Sequence, residues 1–315
     1  MRIRTSVAGW IFAVLLAVCT PPLLAASDDF GTIGVRFEQL YDDTQPNKHG
    51  PLVVLDVVED LPGAKAGMHK GDIVFAIDGA LVMGRELDDI NRKAIRGPVG
   101  SAVRLSFVRL DGSQFELTLT RAPYPPHTNP GSDQFEYSVP GSWRMDPRYT
   151  FPLPWASSIA YHGLEDLAFS PDFDYTDSPE YHSYLFFWWL EGTTTLTAKH
   201  LESDMVAYFR GLAEQRGRNN GFKPDLSRVS ANYNTDPAAS QTLGGAAATS
   251  FQGVVSIYDT HGKVIELNSE VVTAVCPGSS HTAAFFGMSE QSRPEGIWKS
   301  IGAVRDSFHC SRHGK

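Results

Sequence analysis

The residues best equipped for chemistry lie mostly in the second half of the chain. Gly278-Ser279-Ser280-His281 sets a nucleophile type beside a base type. A serine nucleophile needs a base within hydrogen-bond reach and an acid that orients the base. On a strand, Ser280 and His281 would point to opposite faces, and no orienting acid is evident. Asp166, Asp172, Asp174, Asp177 and Glu180 form an acidic stretch. A calcium loop needs oxygen ligands at short regular spacing around a bend-forming glycine. Pro171 and Pro179 interrupt this stretch and the glycine is missing, so it reads as a solvated acidic loop. His162, His182, His200 and His281 are scattered and read as structural. His309, Cys310 and His313 cluster, but no second cluster has ligand spacing. No glycine-rich phosphate loop runs from a strand into a helix. No catalytic residue, metal site or cofactor is assigned.

The bulk properties narrow the classes further. At 315 residues, with 42% hydrophobic and 20% charged residues, the chain is long enough for two domains that each bury a core. Arg2 and Arg4, the uncharged apolar run Val7 to Val18, and Ala25-Ala26-Ser27 have the three-part layout of a secretory leader over residues 1–27. Export to a periplasmic or extracellular location follows. The rival reading is a lipoprotein attached through Cys19. Loss of Arg2 and Arg4 moves the formal charge from −9 to −11. An acidic chain lacks the clustered Lys and Arg that nucleic acid requires, so no nucleic-acid partner is expected. Nor is a transmembrane helix expected in the mature chain. Cys276 and Cys310 then remain as an even pair in an exported protein, which predicts one disulfide; two buried free thiols are the alternative.

The elements divide at Ala122-Pro123-Tyr124-Pro125-Pro126, whose prolines continue neither helix nor central strand. Residues 123–132 read as a semi-rigid linker between domains at 28–122 and 133–315. In the first, Leu52 to Val58 and Ile73 to Ile77 read as strands. Val103, Leu105 and Phe107 alternate on one side of Asp111-Gly112, and Phe115, Leu117 and Leu119 on the other, as in a hairpin. Glu86 to Ile95 places Leu87, Ile90 and Ala94 on one helical face. The ordered set Gly31-Thr32-Ile33-Gly34-Val35-Arg36-Phe37, Leu52 to Val58, Gly67 to Gly79, Arg96 to Ser101 and Val103 to Arg109 resembles a PDZ domain. The kind is the bacterial, circularly permuted one of carboxyl-terminal processing proteases.

That resemblance implies a peptide groove between a strand and a helix. Gly31, Thr32, Ile33 and Gly34 would offer backbone N–H groups to a peptide's terminal carboxylate. Val35-Arg36-Phe37 would pair with the peptide by strand addition. Ile33, Val35 and Phe37 would line an apolar pocket with Leu87, Ile90 and Ala94; the alternative for each is a plain core role. Processing proteases of this kind follow their PDZ domain with a Ser–Lys catalytic domain, whose serine sits in a small-residue turn. Lys199, Lys223, Lys263, Lys299 and Lys315 are the lysines after the linker, and none follows such a turn.

In the second domain, Phe135 to Val139 and Ser183 to Leu190 read as strands, the latter buried on both faces. His200 to Gln215 reads as an amphipathic helix, and Arg218 to Ala239 as a long loop. Gly253 to Asp259, Lys263 to Asn268, Val271 to Val275 and Thr282 to Met288 read as strands, with a turn at Asn268-Ser269-Glu270. A last helix has Ser292 as N-cap, Glu295 closing a capping box, and Ile297, Ile301, Val304 and Phe308 as its buried stripe. The expected fold is a small β-rich PDZ domain followed by an α+β domain with an antiparallel sheet. The second domain loosely resembles the PsbP-like, or Mog1-like, sandwich. Together these features point to an exported, non-catalytic adaptor that binds extended or C-terminal peptides of another envelope protein. The alternative is a divergent peptidase or other hydrolase whose second domain acts on the presented peptide.

Overall fold

The computed structural model describes residues 30–125, 127–128, 135–237, 239, 242–294 and 296–310. The leader with Cys19, Glu295 and His313 lie outside the described residues.

The first half runs β1 (Phe30–Thr32), β2 (Val35–Tyr41), β3 (His49–Val57), α1 (Pro62–Lys65), β4 (Ile73–Ile77), β5 (Ala80–Leu81) and α2 (Leu87–Ile90). The last widens into a π-helical turn over Asn91–Ile95, and β6 (Gly97–Pro98), β7 (Ala102–Val108), β8 (Gln114–Thr120) and β9 (Ala122–Pro123) follow. One antiparallel sheet has the order β2-β3-β4-β7-β8, with β5 beside β4. β1 stands apart between β6 and β9. Val103, Leu105 and Phe107 all face the core, as period-two alternation requires. On β8 only Leu119 is buried; Phe115 remains partly exposed and stacks on Phe107 at 5.4 Å, because β8 is an edge strand.

The second half runs β10 (His127–Thr128), β11 (Phe135–Glu136), β12 (Ser138–Val139), β13 (Arg144–Met145), β14 (Tyr149–Phe151), β15 (Gly163–Phe169), β16 (Tyr184–Glu191) and α3 (Ala198–Asn220). Then come β17 (Ser230–Thr235), β18 (Thr242–Leu243), β19 (Ala246–Tyr258), β20 (Val264–Val275), β21 (His281–Ser289), α4 (Trp298–Asp306) and β22 (His309–Cys310). A long antiparallel sheet has the order β13-β15-β16-β21-β20-β19-β17. Both faces are covered. Phe186, Trp188 and Leu190 of β16 enter the core beneath α3, while Leu185, Phe187 and Trp189 enter the core beneath α4.

Several local expectations are corrected. Asn268-Ser269-Glu270 is no turn but the middle of β20, because each polar side chain finds a partner there. Asn268 donates to the Gln291 carbonyl at 3.0 Å, Ser269 bonds the Tyr233 hydroxyl at 2.8 Å, and Glu270 pairs with Arg305 and Arg293. The expected loop after Arg218 contains β17, which forms the sheet edge. α3 is longer than its apolar spacing suggests: Thr197 caps it at the His200 N–H, and Gly221, at φ 77°, ends it in the left-handed region. α4 begins only at Trp298, although Ile297, Ile301, Val304 and Phe308 are buried as expected. Cys276 and Cys310 form the predicted disulfide, which ties the chain after β20 to β22.

Candidate functional site

The candidate groove is built where β2 forms the free edge of the first sheet, with the helix Leu87–Ile95 beside it. Gly34 sits at φ 70°, and a Cβ there would run into Leu61. The loop's carbonyls are tied inward: Gly63 N–H donates to Ile33 C=O at 2.7 Å and Val58 N–H to Gly34 C=O at 2.8 Å. In an antiparallel ladder the hydrogen-bonded and open pairs alternate. Gly34 therefore bonds toward β3, and Val35, opposite Val57, turns its own N–H and C=O toward the open edge.

Gly31, Thr32, Ile33 and Gly34 are all buried, and Gly34 N–H already donates to Thr32 Oγ1 at 2.9 Å. The accessible strand begins at Val35, which is half-buried, followed by exposed Arg36. The six expected pocket side chains are brought together in one apolar cluster. Within it Ile33 and Ile90 are 0% exposed and Phe37 is 8% exposed, so they form the floor. Val35, Leu87 and Ala94 are half-buried and are the members a ligand could touch.

Two side chains that hold this helix are not apparent from sequence spacing. Gln39 of β2 accepts from Leu87 N–H at 3.0 Å and donates to the Arg85 carbonyl at 2.6 Å, fixing the helix start to the groove strand. Arg121 is buried and donates to the carbonyls of Ala94 (2.8 Å), Ile95 (2.8 Å) and Ala102 (2.7 Å). It thereby satisfies the carbonyls that a helix end leaves without partners. Burial of this guanidinium pulls its pKa down from the usual value.

The same helix docks on the second half of the chain. Arg96 bonds Asp172 at 2.8 Å and the Pro171 carbonyl at 3.3 Å. Arg92 bonds Asp177 at 2.5 Å and lies over the Tyr175 ring at 4.6 Å. Arg92 holds the Asp177 carboxyl below its usual range. The stretch expected as a solvated acidic loop is therefore divided. Asp177 is exposed, but Asp172 is buried with Ser178 as a further partner, and Asp166 is buried against Arg148 and Tyr137. Guanidinium partners from distant segments replace the water that the acids would otherwise need.

Ser280 and His281 do not form a dyad. The His281 ring stacks on Trp189 at 4.9 Å, and its Nδ1 has no hydrogen-bond partner among the described residues. Among those residues no group of three or more His, Cys, Asp or Glu side chains could hold a metal. No helix among them is long and apolar enough to cross a membrane.

This strand–helix arrangement defines a class: residues 31–120 match the PDZ domain family model and are a PDZ domain. The segment also resembles a curated protein, the probable CtpA-like serine protease of Staphylococcus haemolyticus, at 33% identity over 88 residues. That match covers 28% of this chain, and the chain spans 16% of the relative's length. Among solved structures, the photosystem II D1 C-terminal processing protease is 24% identical, covering 35% of this chain and 28% of that one, with a TM-score of 0.26. Cyanobacterial PsbP from Synechocystis sp. PCC 6803 is 12% identical, covering 60% and 92%, with a TM-score of 0.32. Scores of this size do not establish a shared fold for the second domain.

Proposed function

We propose that this chain is an exported adaptor that binds an extended or C-terminal peptide segment of another envelope protein along β2. The observation that carries this reading is the free β2 edge, where Val35 turns its backbone groups outward beside the half-buried Leu87 and Ala94. PDZ domains as a class bind peptides by adding a strand at such an edge. Main-chain hydrogen bonds supply affinity there, and the apolar patch selects the side chain. The buried Gly31–Gly34 loop adds a preference. An extended segment pairs with β2 as it stands, whereas a terminal carboxylate would have to displace Thr32 Oγ1 from the Gly34 N–H. The second domain supplies a further binding surface and steadies the groove helix through Arg92 and Arg96.

A displayed library of short peptides with free C-termini tests this reading. Wild type is expected to enrich peptides with an apolar residue at one fixed position, and Leu87→Glu to lose that enrichment. Enrichment that survives Leu87→Glu would contradict the groove.

The likeness to a CtpA-like serine protease favours a second reading, in which the second domain acts on the presented peptide. New cleavage products from purified chain and bound peptide, absent with heat-inactivated chain, would support it. Intact peptide after long incubation, with or without added metals, would count against it.

A further inference from the structure

A cavity of about 270 Å³ lies between β15 and α3 in the second domain, away from the groove. It is near the small end of the usual size range for ligand pockets, about 300–1,000 Å³. Its walls include Tyr149, Trp155, Phe173, Tyr184, Tyr208 and Arg216, and also Asp146 and Asp174, which both pair with Arg144 at 3.7 and 3.5 Å. The walls are fixed by packing. Trp155 meets Tyr149 edge-on at 4.8 Å and Tyr208 edge-on at 5.7 Å. Gly211 lets the Trp155 backbone press directly on α3, since a Cβ there would strike the Trp155 carbonyl.

Polar groups around the cavity lack partners. Trp155 Nε1 is buried and makes no hydrogen bond among the described residues. His182, 0% exposed and stacked on Phe173 at 4.5 Å, has neither ring nitrogen bonded. Glu165, also 0% exposed, is held at Oε1 by Trp188 Nε1 at 2.8 Å and interacts with the Tyr208 hydroxyl. His182 and Glu165 lie behind the walls; in the wall itself the idle donor is Trp155 Nε1, and a buried donor is ordinarily hydrogen-bonded. Arg216 donates to the Tyr258 carbonyl, but no carboxylate of the described residues is within ion-pair distance of it. An aromatic box with an idle indole donor and a cation free of acid partners suits a flat ring bearing an anion. Rings pack edge-on or offset against such walls, and a guanidinium matches a carboxylate in a two-pronged fit.

We propose that this cavity binds a small aromatic carboxylate, its ring among the aromatic walls and its acid group on Arg216. The cavity shares no lining residue with the β2 groove.

Calorimetric titration of the whole chain with benzoate and with indole-3-carboxylate tests this, with benzamide and acetate as probes that lack the charge or the ring. At least one aromatic acid is expected to bind with Kd below about 1 mM, and benzamide and acetate about tenfold more weakly. Arg216→Gln should lose about tenfold in affinity, and Arg216→Lys, which keeps the charge but not the two-pronged geometry, should fall between Arg216→Gln and wild type. Thermal melts would verify that both variants fold. If Arg216→Gln does not fold, the comparison of benzoate with benzamide on wild type decides alone. The proposal is overturned by no saturable binding of either acid up to about 10 mM, by equal binding of benzamide, or by a folded Arg216→Gln that binds like wild type.

Discussion

Arg121 closes the carbonyl end of the groove helix with bonds that no neighbouring residue in the chain could make. Arg121→Ala removes the donor from the buried Ile95 carbonyl and from the less buried carbonyls of Ala94 and Ala102, and a buried group left unpaired costs about 1–3 kcal/mol. We expect a loss of roughly 3 kcal/mol in chemical denaturation, located in the PDZ domain. Two further residues set the pH range of stability. Burial pushes the Glu165 carboxyl up to about 8, so the folded state holds a proton that the unfolded chain releases near 4.5. Stability from this group is complete below the unfolded value and falls as pH rises through the folded one. Burial pulls the His182 imidazole down to about 3 from 6.5, so its contribution is present above 6.5 and is lost as pH falls toward 3. The denaturant midpoint should therefore fall on both sides of a middle range. Glu165→Gln should flatten the alkaline arm and His182→Phe the acid arm; an unchanged profile in either variant would contradict that assignment. The sequence marks His182 only as one of several structural histidines, and it says nothing of Arg121 or Glu165, whose partners Ala94, Ile95, Ala102 and Trp188 lie on other elements where spacing does not show them.

At the scale of elements, the sequence pattern shows what periodicity and glycine can show. Period two placed β7, the apolar run placed β16 between two layers, and Ile33, Val35, Phe37, Leu87, Ile90 and Ala94 do share one apolar cluster. It misplaced Asn268-Ser269-Glu270, because a polar triplet reads as a turn until its long-range partners are known. It also could not separate floor from rim, since Ile33, Ile90, Leu87 and Ala94 are equally apolar in the chain. That separation changes which substitution tests binding. Ile90→Lys places an unpaired charge in a fully buried site and should unfold the domain, a cost of several kcal/mol. Leu87→Glu and Ala94→Arg act on half-buried positions and should leave a cooperative melt. Circular dichroism on the three variants checks this ordering.

At the scale of the whole molecule, the groove helix belongs to two units at once. It walls the proposed groove on one side and carries Arg92 and Arg96 to the second half of the chain on the other. The Arg96–Asp172 pair is largely buried, with side chains 13% and 9% exposed, while Asp177 is 68% exposed. Salt should therefore weaken the Arg92–Asp177 contact first and leave Arg96–Asp172 largely intact. Arg96→Ala should release the domains from each other, seen as faster proteolysis of the Pro-rich connection and a larger radius of gyration. Equal rates and radii in wild type and variant would show that the contact does not hold the domains. The Cys276–Cys310 bond secures the far end of the second domain, and its removal should cost about 3–4 kcal/mol by loop-entropy reasoning. Domain contact of this kind is invisible to sequence pattern, because the acids and the arginines fall in separate domains.

The measurement that bears most directly on the account is a titration of the purified chain with peptides ending in Ala, Val, Leu or Phe. Each is paired with its C-amidated twin and run against wild type and Ala94→Arg. The account predicts saturable binding to wild type that Ala94→Arg abolishes while its fold persists. A requirement for the free acid would show a terminal carboxylate at the Gly31–Gly34 loop, and indifference to amidation would show an extended segment on β2. Absence of binding by every peptide, or binding that Ala94→Arg leaves untouched, would contradict a peptide groove between β2 and the Leu87–Ile95 helix.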